Sequence, residues 1–288
     1  MSGRIGGDSP KGARFPYWSF SKTAIAICAL RLADAQLLDL DAPCKDHPFT
    51  LRQLLAHSSG LPDYGSLREY HAAVARADTP WPRDRLLDAA LAQGMRFPPG
   101  EGWSYSNIGY LFVRELIEEA VGTRLGAVIQ QMICQPLGLE SVEFWDSLDQ
   151  SAMLHWKAGA SYDPRWVYHG CLIGSAPDAA RLLHALFAGD LLGAQTFGHM
   201  LVRQSLGGAI PGRPWTDCGY ALGLMSGAVG DAGRAIGHTG GGPFSMNAVY
   251  HFPDLPDPMT IAAFTDALDQ GVAEFAVAEI ALDHRRQG

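Results

Sequence analysis

Three observations predict an α+β fold for this chain of 288 residues. The first is composition: 47% apolar and 18% charged residues suffice for a sizeable core, and at ~100–200 residues per domain the length allows one large domain or two modest ones. The second is the run 22–36, made of good helix formers and apolar on nearly every side, which is the pattern of a helix buried inside a protein. The third is order, because helical segments fill the middle of the chain and short strands crowd its end.

The elements follow in sequence. Residues 1–16 are rich in Gly, Pro and charge and read as a loop with at most one short strand. After the 22–36 helix, segments 51–56, 83–93, 108–121, 125–134 and 178–188 have helical patterns separated by Pro and Gly. Beyond Cys218, segments 219–225, 234–237, 244–252 and 259–265 are rich in Val, Ile, Phe and Tyr and read as strands. A last helix, 269–286, sets Val272, Phe275, Ala276 and Ile280 on one face and ends in His284, Arg285 and Arg286, cations that suit a helix C-terminus. No repeat or linker divides the chain, so a single domain 1–288 is expected, with 1–36 and 205–288 as an α/β part and 37–204 as a mostly helical part.

Charge and cysteines exclude several classes. A formal charge of −8 and a pI of about 5.6 offer no basic field for a phosphate backbone, so no nucleic-acid partner is expected. Five cysteines (Cys28, Cys44, Cys134, Cys171, Cys218) form no C-x-x-C pair, and their odd number favours free thiols. The early apolar run 24–30 is far short of the ~20 residues that span a bilayer, and no export leader is visible. A cytoplasmic setting is therefore expected, or a periplasmic one if residues precede Met1. Ten histidines give no H-E-x-x-H and no compact ligand group, so neither a metal nor another cofactor is expected. The absence of G-x-S-x-G argues against an α/β-hydrolase.

Three short motifs carry candidate chemistry. Ser19 and Lys22 lie three residues apart, one helical turn, and an amine held in a dry pocket loses its charge and serves as the base that serine needs. Ser-x-x-Lys also arises by chance, but a lone lysine in an apolar helix is expensive to bury without a purpose. Tyr105-Ser106-Asn107 precedes a helix, where Ser106 or Asn107 serves as N-cap and Tyr105 as a base if a cation lies near. Gly237 to Gly242, with His238, Thr239, Gly240 and Gly241, reads as a hairpin turn, a weak phosphate cradle, or half of an oxyanion hole. Trp156, Tyr162, Trp166 and Tyr168 read as core before pocket.

In order, Ser19-x-x-Lys22, Tyr105-x-Asn107 and His238-Thr239-Gly240 resemble the signature elements of the serine β-lactamase and penicillin-binding-protein superfamily. The class C β-lactamase-like branch, which includes esterases, D-aminopeptidases and D-Ala-D-Ala carboxypeptidases, is nearest. Segments 37–41, 54–62, 99–101, 174–180 and 219–223 are also similar to that branch. The resemblance implies a β-lactamase/transpeptidase-like fold, an antiparallel sheet flanked by helices plus a mostly helical subdomain, with the site between them. It also implies roles: Ser19 as acylated nucleophile beside Lys22, Tyr105 as the base favoured by Lys22, Asn107 bonding Lys22 and substrate, and N–H groups of Ser19 and Gly241 as oxyanion hole.

Two departures qualify the resemblance. The family's third motif usually opens with lysine; His238, with a reference pKa near ~6.5, is mostly neutral at pH 7, which favours esters or amides without an obligatory carboxylate and predicts a pH–rate limb near that value. No E-x-x-L-N is present, which argues against class A. Only 18 residues precede Ser19, where the family places some tens including strands, so either residues are missing or the sheet is narrower, with an edge open to a homo-oligomer. The expected function is a serine hydrolase acting on a small ester, amide or peptide, esterase or amidase before true β-lactamase; the competing expectation is a catalytically silent ligand-binding or scaffold protein.

Overall fold

The run of helix formers after the first aromatic cluster folds as the Ser21–Asp34 helix, in which every residue from Ser21 to Leu30 is buried. It packs against the Asn107–Val121 and Leu125–Ile129 helices, which explains its lack of a polar face. The structure, a computed structural model, describes residues 4–6, 10–45 and 47–287. The N-terminal loop expectation for residues 1–3 and 7–9 lies outside the described residues.

Ten strands are described: β1 Arg4–Gly6, β2 Phe15–Pro16, β3 Glu143–Phe144, β4 Leu172–Gly174, β5 Gln204–Gly207, β6 Cys218–Tyr220, β7 Met225–Ala228, β8 Arg234–Gly242, β9 Ser245–Phe252 and β10 Met259–Thr265. Among the described residues, seven form one sheet in the order β1-β10-β9-β8-β7-β6-β5, antiparallel except for the parallel β1–β10 pair. The 1–16 segment thus supplies two short strands rather than one at most, and β1 extends the sheet beyond β10. A three-stranded sheet, β2-β4-β3, braces the chain ahead of Ser19.

Strand alternation divides the core. Ile236, Val249 and Ala262 join the main core with the Ser21–Asp34 and Ala176–Ala188 helices. Ala235, Ala248, Tyr250 and Ile261 point the other way, onto Ala273, Val277, Ala278 and Ala281 of the Gln270–Gln287 helix. Helices therefore flank the sheet. The expected face of that last helix is corrected: Val272, Phe275 and Ile280 are exposed, and the small side chains pack instead because they let the helix approach β8–β10 closely.

The expected strand 219–225 is broken, because Gly223 at φ +73° reverses the chain between β6 and β7. The glycine run read as a turn or cradle is the second half of β8, paired with β9 through Gly242. Two further short helices, Arg68–Ala75 and Ala194–Met200, lie outside the segments expected to be helical. Trp166 is core, as read, whereas Tyr162 lines the cleft described below.

One buried ion pair ties the last helix to the sheet. Glu274 is 1% exposed and accepts from both Arg213, whose Nε lies 2.6 Å from Oε2, and Thr239 Oγ1. Arg213→Ala leaves that carboxylate buried with its cation removed. The expected cost is about 3–5 kcal/mol of unfolding free energy, measured by denaturant titration.

Candidate active site

The site begins with a tight turn. Ser19 sits in the 3-10 turn Trp18–Phe20, directly ahead of the Ser21–Asp34 helix. Trp18 has φ +45°, a left-handed conformation costly for a bulky residue, and surrounding contacts hold it there. Its indole N–H donates to Ser245 Oγ at 2.9 Å, its ring meets Trp145, Tyr162 and Phe244, and Asn247 Nδ2 donates to the carbonyls of Pro16 and Tyr17. A Cβ at Gly240 would stand 2.7 Å from Tyr17 O and 2.8 Å from Trp18 Cβ, and one at Gly242 would strike the Trp18 ring. The third motif's glycines therefore serve a close approach of β8 to the Ser19 turn.

Lys22, one helical turn on, is fully buried. Its Nζ lies 3.2 Å from Ser19 Oγ, 2.7 Å from Asn107 Oδ1 and 3.0 Å from His169 Nε2. Desolvation lowers its pKa from 10.5 to about 7, against the opposing pull of Asp63. Tyr105 OH donates to Ser19 Oγ at 2.8 Å. Burial raises the Tyr105 pKa, and the bond to Ser19 only partly offsets it. The two groups are thus pushed apart, the amine toward neutrality and the phenol toward keeping its proton, which runs against a Tyr105 phenolate in the resting site.

Ser106 is the N-cap of the Asn107–Val121 helix, its Oγ accepting from Gly109 N at 3.1 Å and donating to Pro62 O at 2.7 Å. Asn107 is thereby free to face Lys22. Asp63, which motif reading missed, takes the Asn107 backbone N–H at 2.9 Å and Nδ2 at 3.2 Å, and so turns the amide oxygen toward the amine. Burial raises the Asp63 carboxyl, against those bonds and the nearby Lys22. His57, also missed, lies under the Tyr105 ring with centroids 4.3 Å apart and accepts Ser106 N–H at 3.2 Å.

His238 departs from expectation. It is 1% exposed, with Nδ1 at 2.6 Å from Thr239 O and Nε2 at 2.9 Å from Tyr220 OH, so Nδ1 carries the proton and Nε2 accepts. Desolvation first, then the Lys22 charge, pushes its pKa down to about 3. A limb near 6.5 from this imidazole is not expected, because neither nitrogen is free and the ring stays neutral.

Ser19, Trp18, Tyr64, Tyr162, His169 and Gly241 line a cleft of about 330 Å³. A larger cavity of about 660 Å³ lies beside Arg114, Phe144 and Arg165, but none of the Ser19–Lys22–Tyr105 trio lines it, whereas Ser19 opens onto the smaller one. Among the described residues no His/Cys/Asp/Glu group is arranged to hold a metal, and no helix is long and apolar enough to cross a membrane.

The Beta-lactamase family model matches residues 6–282. Penicillin-binding protein 4* of Bacillus subtilis is 31% identical over 121 residues, 40% of this chain and 25% of that protein. A D-aminopeptidase of Cereibacter sphaeroides is 33% identical over 138 residues, 46% of this chain and 27% of that protein. The match thus spans about a quarter of each relative's length. In fold, the chain is similar to a D-stereospecific amidohydrolase from Streptomyces sp., with a TM-score of 0.80 at 24% identity over 96% of this chain and 87% of that one.

The burial of Lys22 makes a direct prediction. Of the four lysines in the chain, one side-chain resonance is expected to titrate near pH 7 in the folded protein. In Asp63→Asn that midpoint moves lower, because the anion that favours the ammonium is gone; ¹³C NMR of labelled lysine reads both.

Proposed function

The chain belongs to the beta-lactamase family, and from that premise we propose that it is a serine hydrolase working through an acyl-enzyme on Ser19. One observation carries the reading: Ser19 Oγ has Lys22 Nζ at 3.2 Å and Tyr105 OH at 2.8 Å. Lys22, whose ammonium burial disfavours, takes the Ser19 proton as Oγ bonds to the substrate's carbonyl carbon. Tyr105, protonated, gives its hydrogen to the leaving group as the acyl–leaving-group bond breaks. The ammonium and phenolate that result stabilise each other, with Nζ 5.0 Å from the tyrosine ring centroid. Water then loses a proton to Tyr105 and attacks the ester, and Lys22 returns a proton to Ser19 Oγ. This order gives the first proton transfer to Lys22, where the resemblance implied Tyr105.

N–H groups of Ser19 and Gly241, both on the cleft wall, are the proposed oxyanion donors. Asn107 steadies the amine from the helix start. His238 contributes shape, its neutral ring supplying no charge for a substrate carboxylate. Among the described residues, the cleft lining includes no Asp, Glu, Lys or Arg side chain, which supports ester or amide substrates with an uncharged acyl part before a β-lactam carboxylate. The silent-scaffold alternative drew on a weakly supported Ser19 helix; the burial of that helix from Ser21 to Leu30 favours the enzyme.

Intact-mass analysis after mixing with a p-nitrophenyl acyl ester is expected to find one acyl group on Ser19. Ser19→Ala is expected to lose the adduct and on the order of 10⁴-fold or more in turnover. Unmodified wild-type protein, with no p-nitrophenol released, overturns the reading.

A further inference from the structure

We propose that His169 is a positioning residue that aims the lone pair of the Lys22 amine at the Ser19 hydroxyl, an inference that rests on the acyl-enzyme reading. His169 lies between the signature motifs, in a turn closed by Gly170 N–H donating to Val167 O at 2.8 Å. Gly170 adopts φ +92°, and a Cβ there would meet the Phe144 ring at 2.6 Å, so the turn has little freedom. Tyr168, just before it, is tied at both ends: its hydroxyl donates to Trp81 O at 2.8 Å and its carbonyl accepts from Arg114 at 3.2 Å. The imidazole delivered by this turn is 3% exposed, with Nε2 3.0 Å from Lys22 Nζ.

The hydrogen-bond count gives the contact its meaning. A neutral amine has two hydrogens and one lone pair. Asn107 Oδ1 takes one hydrogen at 2.7 Å, and the amide is held from flipping by Nδ2 donating to Asp63. His169 Nε2 takes the second hydrogen, which leaves the lone pair for the remaining neighbour, Ser19 Oγ at 3.2 Å. This requires the His169 proton on Nδ1, a buried atom with no hydrogen-bond partner of its own. The same tautomer suits the ammonium, since Nε2–H opposite N–H would set donor against donor.

When the serine O–H bond breaks, its proton makes the third N–H on Lys22 and the Oγ–acyl bond forms. His169 does not compete for that proton, because burial and the adjacent Lys22 charge hold it neutral. The other groups facing Lys22 are Asp63 and Cys171, the Tyr105 and Tyr110 rings at 5.0 and 5.5 Å, and the imidazoles of His57 and His238, both kept neutral by burial. None of these makes a hydrogen bond to Nζ, so none replaces His169.

The test compares His169→Leu, which fills the space without an acceptor, with His169→Gln, which restores one. In His169→Leu, kcat for an activated ester is expected to fall at least about 10-fold with KM within about twofold. The acid limb of its kcat profile moves to lower pH, because a buried ammonium has lost an acceptor. His169→Gln is expected to regain most of the rate and to place the limb near its wild-type pH. Wild-type kcat and limb in His169→Leu overturn the proposal. So do equal losses in both variants with an unmoved limb and a lowered melting temperature, the signature of a packing role. Ser19→Ala in parallel separates the two levels: if it keeps full turnover the acyl-enzyme reading itself has failed, whereas an inactive Ser19→Ala beside a normal His169→Leu removes only His169.

Discussion

An amine buried where no water reaches it is the constraint around which the rest of this protein is arranged. Lys22 occupies a helix whose other buried residues, apart from Ser21 and Thr23, are apolar, and an isolated ammonium there is strongly disfavoured. Its pKa of about 7 lies below the 10.5 of a free lysine, so between those values the unfolded chain binds the extra proton. Stability from this group therefore rises with pH across that window, and below it the penalty on the buried ammonium is fully present. What makes the penalty tolerable is the ring of acceptors from distant parts of the chain: Asn107 with Asp63 behind it, His169, and Ser19 itself. These contacts stabilise the amine and orient it at once.

The same economy governs the turn that holds Ser19. Trp18 is forced to positive φ so that Ser19 projects at the helix start, and the strain is held by β8 and β9. That places a demand on β8: its inner-facing positions near the turn must be glycine at 240 and 242. Its outer-facing Thr239 meanwhile engages Glu274 and Tyr250, coupling the strand's position to the last helix. One strand thus serves packing on both faces, which explains why a stretch of such low side-chain content is nonetheless regular and long.

Much of this was legible in the sequence, and the gaps have physical causes. The buried helix announced itself because fifteen residues with no polar stripe admit few other environments. Ser19, Lys22, Tyr105 and Asn107 were found because short spacing brings hydroxyl, amine and phenol types into recognisable patterns, and the fold brings all four together. Asp63, His57 and His169 were not found as site residues, since each acts through a contact 44 or more residues away and none belongs to a pattern of hydroxyl, amine and phenol types, although His57 lies within the family-like stretch 54–62. The glycine run misled for a related reason: glycine is unfavourable in strands on local grounds, and only the proximity of Trp18 explains its use there. His238 was placed in the right motif, but its titration was read from a solvated reference that burial removes.

In the proposed mechanism, the opposite displacement of the two proton carriers decides the direction in which protons travel. Were Tyr105 the resting base, its anion would have to survive in a site that burial makes hostile to it, with a hydrogen bond from Ser19 as the main relief. Were Lys22 fully charged, its three hydrogens would be spent on Asn107, His169 and Ser19, and no lone pair would remain for the serine. A neutral amine with a protonated phenol avoids both difficulties and needs no charge separation until the leaving group departs. The charged pair then forms only after serine has attacked, when ammonium and phenolate are close enough to support each other. Burial, which is unfavourable for either ion alone, thereby becomes favourable for the pair, and the resting state and the acyl-enzyme each sit in the protonation pattern that the surroundings prefer.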